Sequence, residues 1–371
     1  MVKVSVEIKF SDNNSDDVRI LAVGDIMLGI SSLRAIAEKN TLPMYIKKSP
    51  LYLIEDVLPI LENSDILFGN LECVLSKDFD YNDFDNPKLI MAPKEAVSLL
   101  KESNFSILNL ANNHILDYGD EKVCETISIL EQCNIRYLAA PNTISEYDIQ
   151  IFKLKNKKIG FLGYNLCDQG KKHQISEIFN SIKSNKKLVD ILIISLHWGW
   201  GYEHNSYPSS DQISLGHELI DKGADIILGH HSHVFQPIEI YNGKVIAYSL
   251  GNFIFDMWRI ENKVSGILEI RVNSKNNLSV KVLETEQSEY KLKFKSEDIN
   301  NIRGLVLNNL EDKVCPDSYE ACALKIKKTH NKEIILYYLL NFYKFSIGFH
   351  CHNIIRWGSK FSDKLCKIHR K

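Results

Sequence analysis

From Val18 to about Asp256 the chain alternates short apolar runs of strand type with longer stretches of helical periodicity. The runs VRILAV, DILFG, FSILNLA, IRYLAA, KKIGFLGYN, LVDILIISL, ADIILG and KVIAYSL read as strands. Between them lie SPLYLIEDVLPILE, PKEAVSLLKES, EKVCETISILEQC and DQISLGHELIDKG, which read as helices. Such alternation predicts a layered α/β domain rather than an all-α or all-β fold. No internal repeat and no low-complexity linker interrupts it. Beyond Asp256, VSGILEIRVN and LSVKVLETEQ alternate like paired strands joined by the turn-prone Ser274-Lys275-Asn276-Asn277. From about Glu297 the pattern turns helical, first in INNIRGLVLNNLE and then in an aromatic-rich terminal segment. The expected organisation is therefore one α/β domain over residues 18–296 and a helical C-terminal extension over 297–371.

Composition narrows this picture without redirecting it. With 371 residues, 44% of them hydrophobic, the chain can bury one large core or two smaller ones. A net charge of −2 gives no electrostatic reason to expect nucleic acid as a partner. The first seventeen residues hold no apolar stretch of signal-peptide length, so no cleaved export signal is expected. The eight cysteines form no C-x-x-C pair, which fits thiols in a reducing cytoplasm better than a disulfide framework. The most apolar stretch, Ile334 to Phe349, is broken by Asn341 and Lys344 and is too short and polar to span a membrane. The tail from Cys351 to Lys371 carries six Lys and Arg against the single acid Asp363. It reads as the solvated basic end of a docked helix, with at most weak association with an anionic membrane surface. The expected location is the cytoplasm, including the inner face of the membrane.

The chemistry collects at the ends of strand runs. Gly24-Asp25 follows LAV, Gly69-Asn70-Leu71-Glu72 follows ILF, and Asn112-Asn113-His114 follows ILNLA. His197 follows IISL, and His230-His231-Ser232-His233 follows DIILG. Loops beyond the carboxyl ends of strands in an open α/β sheet converge on one crevice, so residues remote in sequence can meet there. Carboxylate, amide oxygen and neutral imidazole make a mixed site suited to one or two divalent ions of Mn, Fe or Zn, and no cysteine is counted in these loops. Such a site can lower the pKa of a water molecule and neutralise phosphoryl charge, which makes phosphoester hydrolysis the default chemistry.

Taken singly, each motif has an ordinary structural explanation. Gly-Asp after a strand is a common turn, Asn112-Asn113-His114 can be a satisfied turn, and His197 between LIISL and Trp198 can be a core histidine. His231 and His233 are more specific, because alternate residues of an extended segment point the same way, with His230 pointing away. Trp198, Trp200, Tyr202 and Tyr207 fit a substrate wall or loop packing equally well, and Asn252 after VIAYSL is a second-tier candidate.

Together the motifs GDIML (24–28), GNLE (69–72), NLANNHILDYG (109–119), HWGWGYE (197–203), GADIILGHHSHVFQPIE (223–239) and YSLGNFIFD (248–256) resemble the CapA family of capsule and poly-γ-glutamate synthesis proteins. That family lies within the calcineurin-like metallophosphoesterase superfamily, and the resemblance runs in order from Ile20 to Asp256. It implies a four-layer α/β sandwich with a dinuclear metal site at the strand ends. It further implies Asp25, Asn113, His197, His231 and His233 as metal ligands and His114 as the acid that protonates the leaving group. Two features depart from the superfamily pattern, both shared with CapA-like members, and a third departs from the family's own. Met27 stands where a histidine ligand is usual, Asn70 stands where an aspartate bridges two metals, and Glu203 is displaced from its expected place. Glu72, two residues beyond Asn70, is the candidate substitute ligand, and Asn70, Asn112 and Glu203 join Asn252 in the second tier. The implied activity is a metal-dependent hydrolase, phosphoesterase-like, acting on a small-molecule or polymer substrate in surface-polymer biosynthesis. The alternatives are a non-catalytic accessory of a polymer synthesis complex and a metal-dependent amide or γ-glutamyl hydrolase or transferase.

Overall fold

A computed structural model describes residues 16–139, 148–167, 174–199, 203–295, 306–307 and 318–352. In chain order the first strands are β1 (Val18–Ile26), β2 (Ile66–Leu71), β3 (Val74–Ser76), β4 (Met91–Pro93), β5 (Ile107–Asn109) and β6 (Arg136–Leu138). Next come β7 (Gln150–Leu154), β8 (Lys157–Asn165), β9 (Ile191–His197), β10 (Ile226–His230), β11 (Ile238–Tyr241), β12 (Lys244–Ala247) and β13 (Asn252–Ile254). The last are β14 (Val264–Val272), β15 (Leu278–Ser288), β16 (Lys291–Phe294) and β17 (Val306–Leu307).

These strands form two large sheets. One has the order β16-β15-β14-β1-β2-β5-β6 with β13 beside β1, and the other has the order β17-β11-β12-β10-β9-β8-β7. Side chains alternate across each strand, so one strand serves two cores. Ile20, Ala22 and Phe68 of the first sheet meet Phe161, Ile193 and Leu228 of the second in the central core. There Phe68 stacks on Phe161 with ring centroids 5.8 Å apart. On the outer face of the first sheet, Leu21, Val23 and Leu67 pack under helices Leu42–Lys48 and Gly119–Gln132. On the outer face of the second, Leu162, Leu192 and Ile194 pack under helices Gln174–Asn185 and Ser210–Asp221. Helix, sheet, sheet, helix is the four-layer α/β sandwich expected from the resemblance. Helix Ser210–Asp221 starts sharply because Ser209 and Gln212 cap one another's backbone N–H groups in a reciprocal box.

The segment after Asp256 completes the first sheet. β14, β15 and β16 form an antiparallel meander, and Val18 to Ala22 of β1 pair with Val272 to Leu268 of β14. The expected hairpin therefore exists, with its turn at residues 273–277. The helical expectation for INNIRGLVLNNLE is corrected at Val306 and Leu307, which pair with Ile238 and Glu239 of β11. The edge of the second sheet offers unpaired backbone groups there, and a strand satisfies them where a helix cannot. The rest of that segment and the basic tail from 353 onward lie outside the described residues.

The terminal segment is helical as expected, over Tyr319–Leu340, with the Ser318 hydroxyl accepting from the Ala321 N–H at 3.2 Å. Its Tyr338, with Phe345 and Phe349 beyond it, packs on Ile30, Ala35 and Ile36 beside the first helix, Leu33–Glu38. Asp256 ties that helix down. Its carboxylate accepts from the Ser31 and Ser32 N–H groups at 3.0 Å each, from the Ser32 hydroxyl at 2.8 Å and from the Tyr290 hydroxyl at 3.0 Å. Cys322 is disulfide-bonded, contrary to the expectation of thiols. Among the described residues, no helix is long and apolar enough to cross a membrane.

Candidate metal centre

Parallel strands bring the predicted residues to one edge of each sheet. Asp25 of β1 sits in register with Asn70 of β2 and Asn252 of β13, and Asn70 with Asn109 of β5. On the facing sheet, His197 of β9 is in register with His230 of β10 and with Asn165 of β8. Two glycines permit the close approach. A Cβ on Gly24 would lie 1.9 Å from the Gly251 carbonyl oxygen, and one on Gly229 would lie 2.0 Å from that of Tyr248. Any side chain at either position would push the strands apart just before Asp25 and His230.

Glu72 is the centre of the arrangement. It is wholly buried, and neither carboxylate oxygen has a hydrogen-bond partner. Around its Oε1 stand three imidazole Nε2 atoms, those of His197 at 3.6 Å, His233 at 3.7 Å and His114 at 3.9 Å. Leaving a buried carboxylate without a donor costs free energy, so the fold retains it against stability. Polar atoms that converge without bonding one another are what a cation site looks like, and the donor set of carboxylate and imidazole suits a divalent metal.

Two subsets group as sets of three ligands. Ligand atoms of Asp25, Glu72 and His233 all lie within 4.8 Å of one another, and so do those of Cys167, His197 and His231. Asn113 joins the second subset through its Oδ1, 2.7 Å from His197 Nε2. The remaining atoms orient these groups. His233 Nδ1 is 3.0 Å from Asn252 Oδ1, which leaves Nε2 turned to Glu72. The Asn70 amide is fully used: Nδ2 donates to Asp25 Oδ1 at 2.8 Å and approaches His197 Nδ1 at 3.3 Å, while Oδ1 accepts from Asn109 at 2.9 Å. Asn70 is thus a spacer between ligands. Asn112 shapes its own loop, donating to the Leu71 carbonyl at 2.8 Å and accepting from the His114 N–H at 3.1 Å. Met27 lies in the core beneath the first sheet, where its sulfur accepts from the Gly29 N–H at 3.0 Å. Glu203 is outside both subsets but lines the cavity with His114 and His233, 3.8 Å from His204. Against the effect of burial, the imidazoles of His233 and His231 hold its carboxylate below the usual range.

Residues 19–257 match the family described as bacterial capsule synthesis protein PGA_cap. The chain belongs to this family. It is similar to the PGA biosynthesis protein CapA of Bacillus subtilis, at 35% identity over 69% of this chain and 68% of that protein. It is also similar to the capsule biosynthesis protein CapA of Bacillus anthracis, at 29% identity over 69% of this chain and 64% of that protein. A probable polyglutamine synthesis accessory protein of Mycobacterium tuberculosis is 26% identical over 58% of this chain and 63% of its own length. The chain therefore spans about two thirds of the length of these relatives. Among solved structures, a putative 5'-nucleotidase from Staphylococcus aureus aligns with a TM-score of 0.42 and 14% identity over 78% of this chain and 57% of that one.

Within this capsule synthesis family member, one sequence expectation about the site needs correction. His230 does not point away: its Nδ1 lies 3.1 Å from Asp25 Oδ1 in the buried site. β10 ends at His230, and His231 and His233 take left-handed backbone angles, φ 93° and 56°, so strand alternation no longer applies. Such strained angles in residues other than glycine gather at functional sites. A sixth strand-end loop, outside the five singled out in the sequence, brings a cysteine to the site, since Cys167 follows β8 by two residues. The strand run KKIGFLGYN announced that position as clearly as the others. Asp117, whose Oδ2 is 2.7 Å from His114 Nδ1, and Asn109 carried no comparable signal. Trp198 proves structural, stacked on Tyr248 with its indole N–H donating to the Tyr248 carbonyl at 2.9 Å. Trp200 and Tyr202 lie outside the described residues.

A cavity of about 280 Å³ opens from His114 and His233 toward Arg259, His330 and Tyr337. The C-terminal helix supplies the last two, and the His330 ring stands 4.8 Å from that of His204. This wall comes from beyond the family-matched residues, and no sequence pattern pointed to it.

Protonation divides the site. Burial, with His231 adding to it, holds the His197 imidazole well below its ordinary range, and burial brings His231 down to about 4. Both are neutral at pH 7, the form a metal requires. Burial alone would also push His233 down, but the Glu72 and Asp25 carboxylates outweigh it and lift the imidazole to about 10. Burial raises Glu72 well above the usual carboxylate range against the pull of His233, so the pair retains a proton near neutrality. A metal at His233 Nε2 must expel that proton. Because the pKa is raised, the cost grows as pH falls below about 10 and disappears above it. Metal affinity is expected to rise about tenfold per pH unit across the neutral range. Calorimetry at pH 6 and pH 8, in buffers of different ionisation heat, measures both the affinity change and the proton released. Equal affinity at the two values would show that His233 is not a ligand.

Proposed function

We propose that this chain is a metal-dependent hydrolase of phosphoesterase type, acting in capsule, poly-γ-glutamate or surface-polysaccharide biosynthesis. One observation carries the reading: the buried, partnerless Glu72 carboxylate with three imidazole Nε2 atoms turned toward it. Asp25, Glu72 and His233 would hold one divalent ion, and Asn113, His197 and His231 a second, with Mn, Fe or Zn suited to these donors. A bound ion would activate a water molecule and neutralise charge on the substrate oxygens. The protein's own groups do the rest. Asp117 holds His114 through Nδ1, so that Nε2 faces the cavity and can deliver a proton to the departing oxygen. Asn252 and Asn70 fix the His233 and His197 rings, and the cavity receives the remainder of a small-molecule or polymer substrate.

Elemental analysis of protein reconstituted with Mn, Fe or Zn, followed by a panel of phosphomonoesters and phosphodiesters, tests this reading. One or two ions per chain and turnover lost in His231→Ala are expected. Absence of both bound metal and turnover would refute it. The accessory reading draws on Asn70 and Met27, which place an amide spacer and a buried thioether where stronger ligands are usual. Intact polymer production in cells carrying folded Asp25→Asn and His231→Ala variants would favour that alternative. Turnover of γ-glutamyl amides in preference to phosphoesters would instead assign the same site to amide chemistry.

A further inference from the structure

Beyond the family's oxygen and imidazole ligands, the second metal position has a thiol in reach. Cys167 sits in the loop after β8, the strand next to β9, and its Sγ is among ligand atoms within 4.8 Å of one another with those of His197 and His231. His231 is 5% exposed, and its Nδ1 is buried without a hydrogen-bond partner. The His197 and His231 rings stand 4.9 Å apart, with a tilt of 60°. The thiol donates to the His197 carbonyl at 3.4 Å, a weak bond that holds sulfur beside the ring it would share a metal with.

We infer that Cys167 is a ligand, giving the second position a mixed sulfur, nitrogen and oxygen set of Cys167, His197, His231 and Asn113. The inference rests on the metal-centre reading above and deepens it. On binding, the thiol loses its proton to solvent and a metal–sulfur bond replaces the bond to the His197 carbonyl; no electron changes hands. The two positions then differ in hardness. Asp25 and Glu72 give the first two carboxylates, whereas the second has a thiolate and two imidazoles, favouring Zn or Fe over Mn and Mg. A chain loaded from mixed metals is expected to carry a softer ion at the second position than at the first.

Cobalt(II) tests this without any substrate. Titration of metal-free full-length protein is expected to produce visible d–d bands from both positions and a near-ultraviolet sulfur-to-cobalt charge-transfer band. The Cys167→Ser variant should lose only the charge-transfer band, and its zinc affinity at one position should fall about tenfold or more, with manganese affinity within about threefold. The Cys73→Ser variant, altered in a buried core thiol, should keep the band. X-ray absorption on zinc-loaded wild-type protein gives the same answer if Cys167→Ser fails to fold, with one sulfur expected at about 2.3 Å. Visible bands that depend on His231 but come without a charge-transfer band, or a zinc shell of nitrogen and oxygen only, would overturn the inference and leave the metal centre standing. No cobalt binding at all would overturn both.

Discussion

Changing Glu72 to glutamine is expected to weaken metal binding about 100-fold or more and to remove turnover, while the metal-free protein becomes more stable by ~1–3 kcal/mol. The two effects have opposite signs for one reason. Without metal, the Glu72 carboxylate is fully buried, both oxygens lack donors, and burial drives its proton affinity up. Glutamine keeps the shape and removes the charge that the interior penalises. With metal, that same charge is what the proposed cation would bind, and a neutral amide at the meeting point of three imidazoles would not replace it. Chemical denaturation of chelator-treated protein gives the stability, and competitive chelation gives the affinity. A Glu72→Gln protein that binds metal like wild type would remove the residue from the site, whatever its stability.

His114→Ala should leave metal content unchanged and lower kcat by about 10²–10⁴-fold on substrates with a poor leaving group. Its Nε2 is the most distant of the three from Glu72, at 3.9 Å, and its side chain is 26% exposed to the cavity where the other two rings are buried. The Asp117 carboxylate at Nδ1 orients the ring, so the nitrogen that faces the cavity is the one free to give a proton. The loss should shrink on aryl esters whose leaving group departs without protonation. A matched loss on both substrate classes, or a fall in bound metal, would make His114 a ligand instead of an acid.

How much of this was legible beforehand differs from residue to residue. Asp25, Asn113, His197, His231 and His233 stood at the ends of apolar runs, and strand geometry by itself carries such residues to one edge of a sheet. Glu72 was legible only as a spare carboxylate near Asn70, and its central place emerges from the facing of two sheets, which no local pattern encodes. His230 was misread because the alternation argument assumes extended backbone, whereas the chain leaves β10 there and passes through left-handed angles at His231 and His233. The helix over INNIRGLVLNNLE was misjudged at Val306 and Leu307 because β11 offers those residues an edge to pair with, a partner far away in sequence.

Local order thus set the strands, the helices and the list of polar residues at strand ends, since hydrophobic periodicity and turn chemistry act over a few neighbours. Tertiary structure decided which of those residues face one another. Asn70 became a spacer, Met27 a core residue, Asn252 a support for His233, and the C-terminal helix the far wall of the cavity. Cys167 and His231 are neighbours only because β8, β9 and β10 lie side by side in one sheet. Distances of a few ångströms between residues tens of positions apart are set by how sheets pack, and that packing is a property of the whole chain.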